Sequence, residues 1–132
     1  MNIDKHLERV KESIEVIDES ITKDIKKRQR TIGFSVSAAS ADLFEIFLHQ
    51  NKLIDPGFIV KHEWFKSKNK VNDKFSFDFE DKEEILRLMY SIEEKRDSLC
   101  YGIPKEEEFI MEVIIKFNEL KKIFKNKGVE VE

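Results

Sequence analysis

Arg96 and Tyr101 are the two residues whose types and spacing point most directly to chemistry. They lie in the run EKRDSLCYG, which covers residues 94–102. An arginine holds a phosphate group through two parallel hydrogen bonds, and a tyrosine hydroxyl can donate one more. Arg96 and Tyr101 therefore have the chemistry to hold a phosphate, and Asp97 is their polar neighbour.

The position of Arg96 is unusual, because helical spacing places it on the same face as Leu99 and other apolar residues. A charge on such a face costs free energy unless it is paired or opens onto a cleft or an interface. Two interpretations stay open. Arg96 either faces a binding cleft, or it pairs with Asp97 or Glu93 while Tyr101 packs against the end of the helix.

Three histidines, His6, His49 and His62, raise the question of a metal site. Glu45 and His49 are spaced i, i+4 on one helix, and Asp42 lies three residues before Glu45. A metal ion normally needs three or four such ligands, and the sequence has no second carboxylate–histidine pair of this type. We therefore predict no metal and no cofactor, since the glycine-rich phosphate-loop patterns are also missing from the sequence.

Composition and charge exclude several classes of protein. A lone cysteine cannot form an internal disulfide, which excludes a disulfide-stapled secreted domain. Cys100 follows a helix rather than starting one, so we expect a core residue and not a reactive thiol. The net charge of −3 and the pI of about 5.7 argue against a dedicated nucleic-acid coat protein.

The opening run MNIDKHLERV has no apolar segment of the kind found in a signal peptide. No stretch approaches the roughly 20 apolar residues of a membrane span. We expect a soluble, cytoplasmic protein that does not engage a membrane.

The elements that must position these residues are predicted to be helices. Gly and Pro are scarce, and the eleven phenylalanines are more than enough to build a core. Apolar residues recur every three or four positions, which predicts an all-α fold, a five-helix up-and-down bundle with one shorter helix. We expect a single domain over residues 1–132, with a frayed tail at about 126–132. The helices are predicted at about residues 4–25, 30–50, 58–66, 81–99 and 104–125.

The segment between the third and fourth helices is expected to be irregular. A loop around Ser67–Asn72 leads into Phe75, Phe77 and Phe79, which alternate like a strand but have no second strand to pair with. We therefore predict an extended lead-in whose rings fill the bundle. Pro104 is expected in the first turn of the last helix.

Residues 59–75 form the most basic stretch, with five lysines against Glu63 and Asp73. Trp64 and Phe65 lie within it. Aromatic rings among lysines can bind single-stranded nucleic acid, but aromatic rings also dominate ordinary cores. Both interpretations stay open.

The region around Arg96 and Tyr101 resembles a known family. Arg96, four intervening residues, and then Tyr101 and Gly102 stand at the end of the fourth helix of a five-helix chain, as in the HEPN family of helical nucleotide-binding domains. The small-residue second helix, which carries Asp42 and Glu45, is similar as well. The resemblance covers about residues 4–125.

The resemblance implies a homodimer in which the arginine motifs of two subunits meet in a cleft. It also implies a partner, because HEPN proteins of this size are similar to one half of toxin–antitoxin or nucleotidyltransferase pairs. Active members cut RNA without a metal, using a motif of Arg, a polar residue that is often Asn, three variable residues and His. Arg96 matches the arginine, Asp97 stands at the polar position, and Tyr101 stands where the histidine would be.

That departure leaves open whether the protein is an enzyme. Tyrosine, with an unperturbed pKa of about 10, is a poor base at neutral pH, and Asp97 weakens the local attraction for an anion. We expect weak or absent ribonuclease activity, and a module that binds a nucleotide or an RNA phosphate through Arg96, Asp97 and Tyr101. A metal-free endoribonuclease toxin and a purely structural helical dimer remain the alternatives.

Overall fold

A computed structural model describes residues 3–131, and they form five α-helices and one short 3-10 helix. The described residues contain no strand, so the predicted all-α bundle is confirmed. The helices are α1 (Ile3–Asp24), α2 (Gln29–Gln50), α3 (Lys68–Lys74), α4 (Lys82–Tyr101) and α5 (Glu107–Asn126), and the 3-10 helix spans His62–Lys66.

Helix α2 lies at the centre of the fold and packs against α1, α4 and α5. The short connections make α1 antiparallel to α2, and α4 antiparallel to α5. Gly33 permits the close approach of α2 and α4, because a Cβ atom at this position would lie 2.9 Å from the Cβ atom of Leu99. The small residues of α2 thus allow close packing.

Among the described residues, α2 is also the one helix that is long and apolar enough to cross a membrane. In this structure 67% of its apolar stretch is buried inside the protein. The apolar character of α2 is therefore accounted for by its position in the core.

Four phenylalanines from four parts of the chain form a cluster that we call the phenylalanine core, namely Phe44, Phe65, Phe75 and Phe124. The Phe75 ring is 1% exposed and lies 5.1 Å from Phe44 and 5.9 Å from Phe65, measured between ring centroids. The Phe124 ring stacks on Phe44 at 6.0 Å. The expectation that the lead-in before α4 fills the bundle with its rings is confirmed.

The loop expected around Ser67–Asn72 is wrong, because α3 begins at Lys68. The Ser67 hydroxyl caps this helix by accepting a hydrogen bond from the Lys70 N–H at 3.2 Å. Val71 is fully buried and anchors the helix to the core. A cap and a single apolar anchor are enough to order seven residues that look polar in sequence.

Pro104 does not stand in the first turn of α5, as the sequence suggested, because that helix begins at Glu107. The connection from Gly102 to Glu106 is extended, and Pro104 lies within it. The acidic first turn of α5 is present as expected, in Glu107 and Glu108.

The frayed tail predicted after residue 125 is also wrong for the described residues. The Val129 N–H donates to the Phe124 carbonyl at 2.9 Å, and the Gly128 N–H donates to the Lys125 carbonyl at 3.1 Å. This is a Schellman cap, and Gly128 supplies the positive φ of 94° that it requires. Val129 is 2% exposed, so the tail is packed against the core. Glu132 lies outside the described residues.

Candidate functional site

The end of α4 and the beginning of α2 come together at one end of the bundle, and the Gln29 side chain joins them. Its Nε2 donates to the carbonyls of Leu99 and Ile103, each at 3.2 Å, and its Oε1 accepts from the Lys105 N–H at 2.8 Å. Gln29 is buried, so these hydrogen bonds act in a region shielded from water. They fix the α4–α5 connection against the first turn of α2.

The Phe34 ring on α2 is the centre of the site. The Cζ atoms of Arg96 and Arg30 lie 4.9 and 5.5 Å from its centroid. The Tyr101 ring meets Phe34 edge to face at 6.1 Å and lies 6.0 Å from the Cζ atom of Arg30. Each distance is in the range of a cation–π or aromatic contact. We call Arg30, Phe34, Arg96 and Tyr101 the arginine–aromatic cluster.

Phe34 contacts both Arg96 and Tyr101, although these residues lie on different faces of α4. Arg96 and Tyr101 are five positions apart, which corresponds to a rotation of about 140° around a helix. Both contact Phe34 from α4, one through its guanidinium group and the other through its ring. The structure therefore brings the two sequence-predicted residues together through an aromatic ring.

The members of the cluster differ in their exposure to solvent. Tyr101 is 67% exposed and Arg30 is exposed, while the Arg96 side chain is only 11% exposed. Arg96 Nη1 lies 3.6 Å from Asp97 Oδ1. The structural interpretation of Arg96, in which it pairs with Asp97, is thus met in part. The Tyr101 ring packs against Phe34 but stays largely exposed to solvent.

Asp97 also joins α4 to the basic stretch at residues 59–75. Its Oδ2 accepts a hydrogen bond from Lys66 Nζ at 3.1 Å. This hydrogen bond, helped by the charge of Asp97, raises the pKa of Lys66. Lys66 therefore lies close to the arginine–aromatic cluster, and Asp97 separates its charge from that of Arg96.

Glu93 lies one turn before Asp97 and is 2% exposed. His62 Nδ1 is 3.0 and 3.1 Å from its two carboxylate oxygens. Burial raises the pKa of Glu93, and the neighbouring His62 and Arg96 oppose that effect. The carboxylate is therefore held in an environment that, on balance, disfavours its charge.

Cys100 lies between the cluster and the core. Its Sγ contacts the Arg30 carbonyl at 3.7 Å, and burial raises the pKa of its thiol above the usual range. A buried thiol with a raised pKa is a weak nucleophile. The prediction that Cys100 is a core residue is confirmed.

The aromatic residues of the basic stretch are packed rather than free. Phe65 belongs to the phenylalanine core, and the Trp64 ring lies 5.9 Å from Phe75. The ammonium group of Lys74 lies 5.0 Å from the centroid of Trp64. The core interpretation of Trp64 and Phe65 is supported, because Phe65 is buried and Trp64 is half-buried against Phe58 and Phe75.

The proposed Glu45–His49 ligand pair does not converge. Glu45 Oε1 accepts a hydrogen bond from the Val60 N–H at 2.7 Å, while His49 Nε2 lies 3.3 Å from the Phe58 carbonyl. No group of three or more His, Cys, Asp and Glu side chains within residues 3–131 is arranged to hold a metal ion.

His6 instead lies between the two carboxylates of α2. Its Nδ1 is 2.7 Å from Asp42 Oδ1, and its Nε2 is 2.7 Å from Glu45 Oε2. The second contact lacks the alignment of a hydrogen bond. Both carboxylates suggested by the resemblance therefore face α1, and neither contacts the arginine–aromatic cluster.

Sequence analysis missed Arg30, Phe34 and Gln29. Arg30 and Phe34 are spaced i, i+4 at the start of a helix, which places them on one face. That spacing could have drawn attention to them as a pair. Nothing local connects them with Arg96, more than 60 residues along the chain.

Comparison of the chain with models of protein families, with curated proteins and with solved structures gave no significant match.

Proposed function

We propose that this chain is a HEPN-like helical module that binds a nucleotide or an RNA phosphate at the arginine–aromatic cluster. The observation that carries the proposal is the meeting of Arg30 and Arg96 on the ring of Phe34, beside the exposed ring of Tyr101. Two guanidinium groups attract a phosphate, and an exposed aromatic ring can stack on a base.

The two arginines contribute differently to this site. Arg30 is exposed and makes the first contact with a phosphate, while Arg96 lies beneath it and adds positive potential from a partly desolvated position. Asp97 opposes binding, because its carboxylate already lies 3.6 Å from Arg96. A bound phosphate competes with Asp97 for the same guanidinium group.

Homodimer formation and pairing with a nucleotidyltransferase in a toxin–antitoxin system are proposed from the resemblance. A cytoplasmic location is proposed from the sequence, whose lone cysteine excludes a disulfide-stapled secreted domain. The surface at this end of the bundle supports a protein partner as well. Ile103 is 73% exposed and follows Tyr101 in the α4–α5 connection. Tyr101, 67% exposed, lies two residues before it, and association with a partner would bury both side chains.

The proposal is tested by titrating the protein with fluorescein-labelled single-stranded RNA and with AMP, and by measuring fluorescence anisotropy and heat of binding. We expect saturable binding that Arg96→Ala weakens strongly. The matched control is Lys95→Ala, because Lys95 precedes Arg96 but pairs with Glu112 on α5 at 3.5 Å. Equal affinities for wild type and Arg96→Ala would overturn the proposal.

A structural role without a ligand is the second candidate, since Arg96 is paired and largely covered. It predicts no affinity for RNA or AMP, and an unchanged dimer in Arg96→Ala. The ribonuclease alternative predicts RNA cleavage that survives EDTA and disappears in Arg96→Ala. Intact RNA at high concentrations of folded protein would argue against it, in line with the tyrosine at position 101, which is a poor base at neutral pH.

A further inference from the structure

A pocket of about 440 Å³ lies between the α1–α2 turn and the α4–α5 connection. Lys26, Lys27 and Arg30 line it together with uncharged residues such as Gln29 and Gly102. No acidic residue is among its lining residues. A concave surface that is lined by cations and carries no carboxylate attracts anions.

This pocket is continuous with the arginine–aromatic cluster through Arg30. The same side chain lines the pocket and places its guanidinium group near the rings of Phe34 and Tyr101. One arginine therefore belongs to both surfaces, and the positive charge continues from Arg96 to the α1–α2 turn.

The nearest carboxylates leave the lysines available. Lys26 Nζ lies 3.8 Å from Glu106 Oε2, and both side chains are more than half exposed. Asp24 Oδ1 is engaged by the backbone N–H of Lys27 at 3.2 Å. An exposed ion pair of this length contributes little free energy, so a phosphate can replace Glu106 at Lys26.

The two walls of the pocket are held together by Gln29. Its three hydrogen bonds join the first turn of α2 to Leu99, Ile103 and Lys105. The pocket thus has a fixed width, which lowers the conformational cost of binding.

We propose that this pocket is a second phosphate subsite, and that the ligand of the surface is a single-stranded oligonucleotide rather than a mononucleotide. This inference rests on the proposed function. One phosphate lies at Arg30 and Arg96, a base stacks on Tyr101, and the neighbouring phosphate of the same strand lies in the pocket against Lys26 and Lys27. A mononucleotide fills the first position alone.

The test measures the binding of a fluorescein-labelled uridine octamer and of AMP to wild type and to the double variant Lys26→Ala/Lys27→Ala. We expect the affinity for the octamer to fall about tenfold. The slope of log Kd against log salt should decrease by about 0.7, which is the value for one lost phosphate contact on a single strand. The affinity for AMP should stay unchanged.

Lys121→Ala/Lys122→Ala is the matched control. These lysines line another pocket that likewise has three cationic side chains, with Lys125 as the third, and no acidic residue. Lys121 lies about 20 Å along α5 from Glu107, the first residue of the helix. The control removes the same charge and should leave the affinity for the octamer unchanged. Circular dichroism and urea unfolding of both double variants confirm that each is folded.

The outcomes separate this inference from the proposed function. Octamer binding that Arg96→Ala leaves unchanged would overturn the proposed function itself. Weak binding by Arg96→Ala, combined with equal effects of the two double variants, would overturn the second subsite and leave the proposed function standing. An equal loss of AMP and octamer binding in Lys26→Ala/Lys27→Ala would also overturn the subsite.

Discussion

Helix α2 carries two phenylalanines with opposite surroundings, Phe44 in the phenylalanine core and Phe34 in the arginine–aromatic cluster. Phe44 is fully buried, and its aromatic neighbours are the other rings of the phenylalanine core and Phe79 of the lead-in to α4. Phe34 is half-buried and contacts two guanidinium groups and the edge of Tyr101. The same type of side chain therefore has two roles on α2. Phe44 stabilises the core, whereas Phe34 holds cationic side chains at the surface.

The two rings are expected to contribute differently to the free energy of unfolding. A buried ring contributes to the free energy of unfolding through the area it removes from water. A ring on the surface contributes less to stability but holds cations in a defined place. Changes in the phenylalanine core should therefore act on unfolding, and changes in the arginine–aromatic cluster should act on binding.

The largest effect is expected for Phe75→Ala. Phe75 contacts rings from α2, the 3-10 helix and the lead-in to α4, so its loss leaves a cavity that several elements border. The free energy of unfolding in urea should fall by about 3–5 kcal/mol. Phe34→Ala is the control, and its loss should stay near 1 kcal/mol. Equal losses in the two variants would contradict the distinction drawn between the two regions.

Gly33→Val should have the next largest effect. A side chain here meets the Leu99 Cβ atom at 2.9 Å and the Cys100 Sγ atom at 3.1 Å, so α2 and α4 must separate. We expect a loss of about 1–3 kcal/mol in the free energy of unfolding. Gly57→Ala should show no steric loss, because nothing lies within 4 Å of the added atom. A Gly33→Val protein as stable as wild type would refute this account of the helix contact.

Gln29→Ala should lower the free energy of unfolding by about 1–2 kcal/mol, since it removes three hydrogen bonds between α2 and the α4–α5 connection. It should also weaken ligand binding, because the connection follows Tyr101 directly. Amide hydrogen exchange at Lys105, which loses its acceptor, is the specific measurement. Unchanged exchange at Lys105 would show that Gln29 does not hold the connection.

Glu93→Gln should have the smallest effect, and its sign should depend on pH. Burial raises the pKa of Glu93 above its usual 4.5, so the folded protein binds that proton more tightly than the unfolded chain. As the pH rises from 4.5 through the raised pKa, wild type loses stability, whereas the neutral glutamine does not. The stability of Glu93→Gln relative to wild type should therefore increase across this window.

Urea unfolding between about pH 4 and pH 8 checks this prediction. His62, Lys66, Arg96 and Asp97 surround Glu93. A relative stability that decreases with rising pH would mean that the attraction of Glu93 to its neighbours Arg96, Lys66 and His62 outweighs the cost of burial.

Much of the fold could be predicted from the sequence because its helices have clear apolar periodicity. The period of three to four residues located α1, α2, α4 and α5, and the unpaired alternation of phenylalanines predicted a lead-in rather than a strand. The errors fell where one local contact decides the structure. Ser67 caps α3, and the Schellman cap at Gly128 packs Val129 against the core.

Only part of the site could be predicted. Arg96 and Tyr101 were found because their spacing and the apolar face around Arg96 are local features of α4. Arg30 and Phe34 were not connected with them, since that contact depends on how closely Gly33 lets α2 approach α4. Such a contact between distant parts of the chain has no periodic pattern in the sequence.

The central claim is that Arg30 and Arg96 form one phosphate-binding surface, and NMR of the arginine side chains tests it most directly. The Nε–Hε signals of ¹⁵N-labelled protein are followed during titration with the uridine octamer, with Arg87 as the internal control, because it pairs with Glu84 on the exposed face of α4. The account predicts saturable shifts of Arg30 and Arg96 with one common Kd, while the signal of Arg87 stays in place. Signals of Arg30 and Arg96 that do not move, or that move no more than that of Arg87, would contradict it.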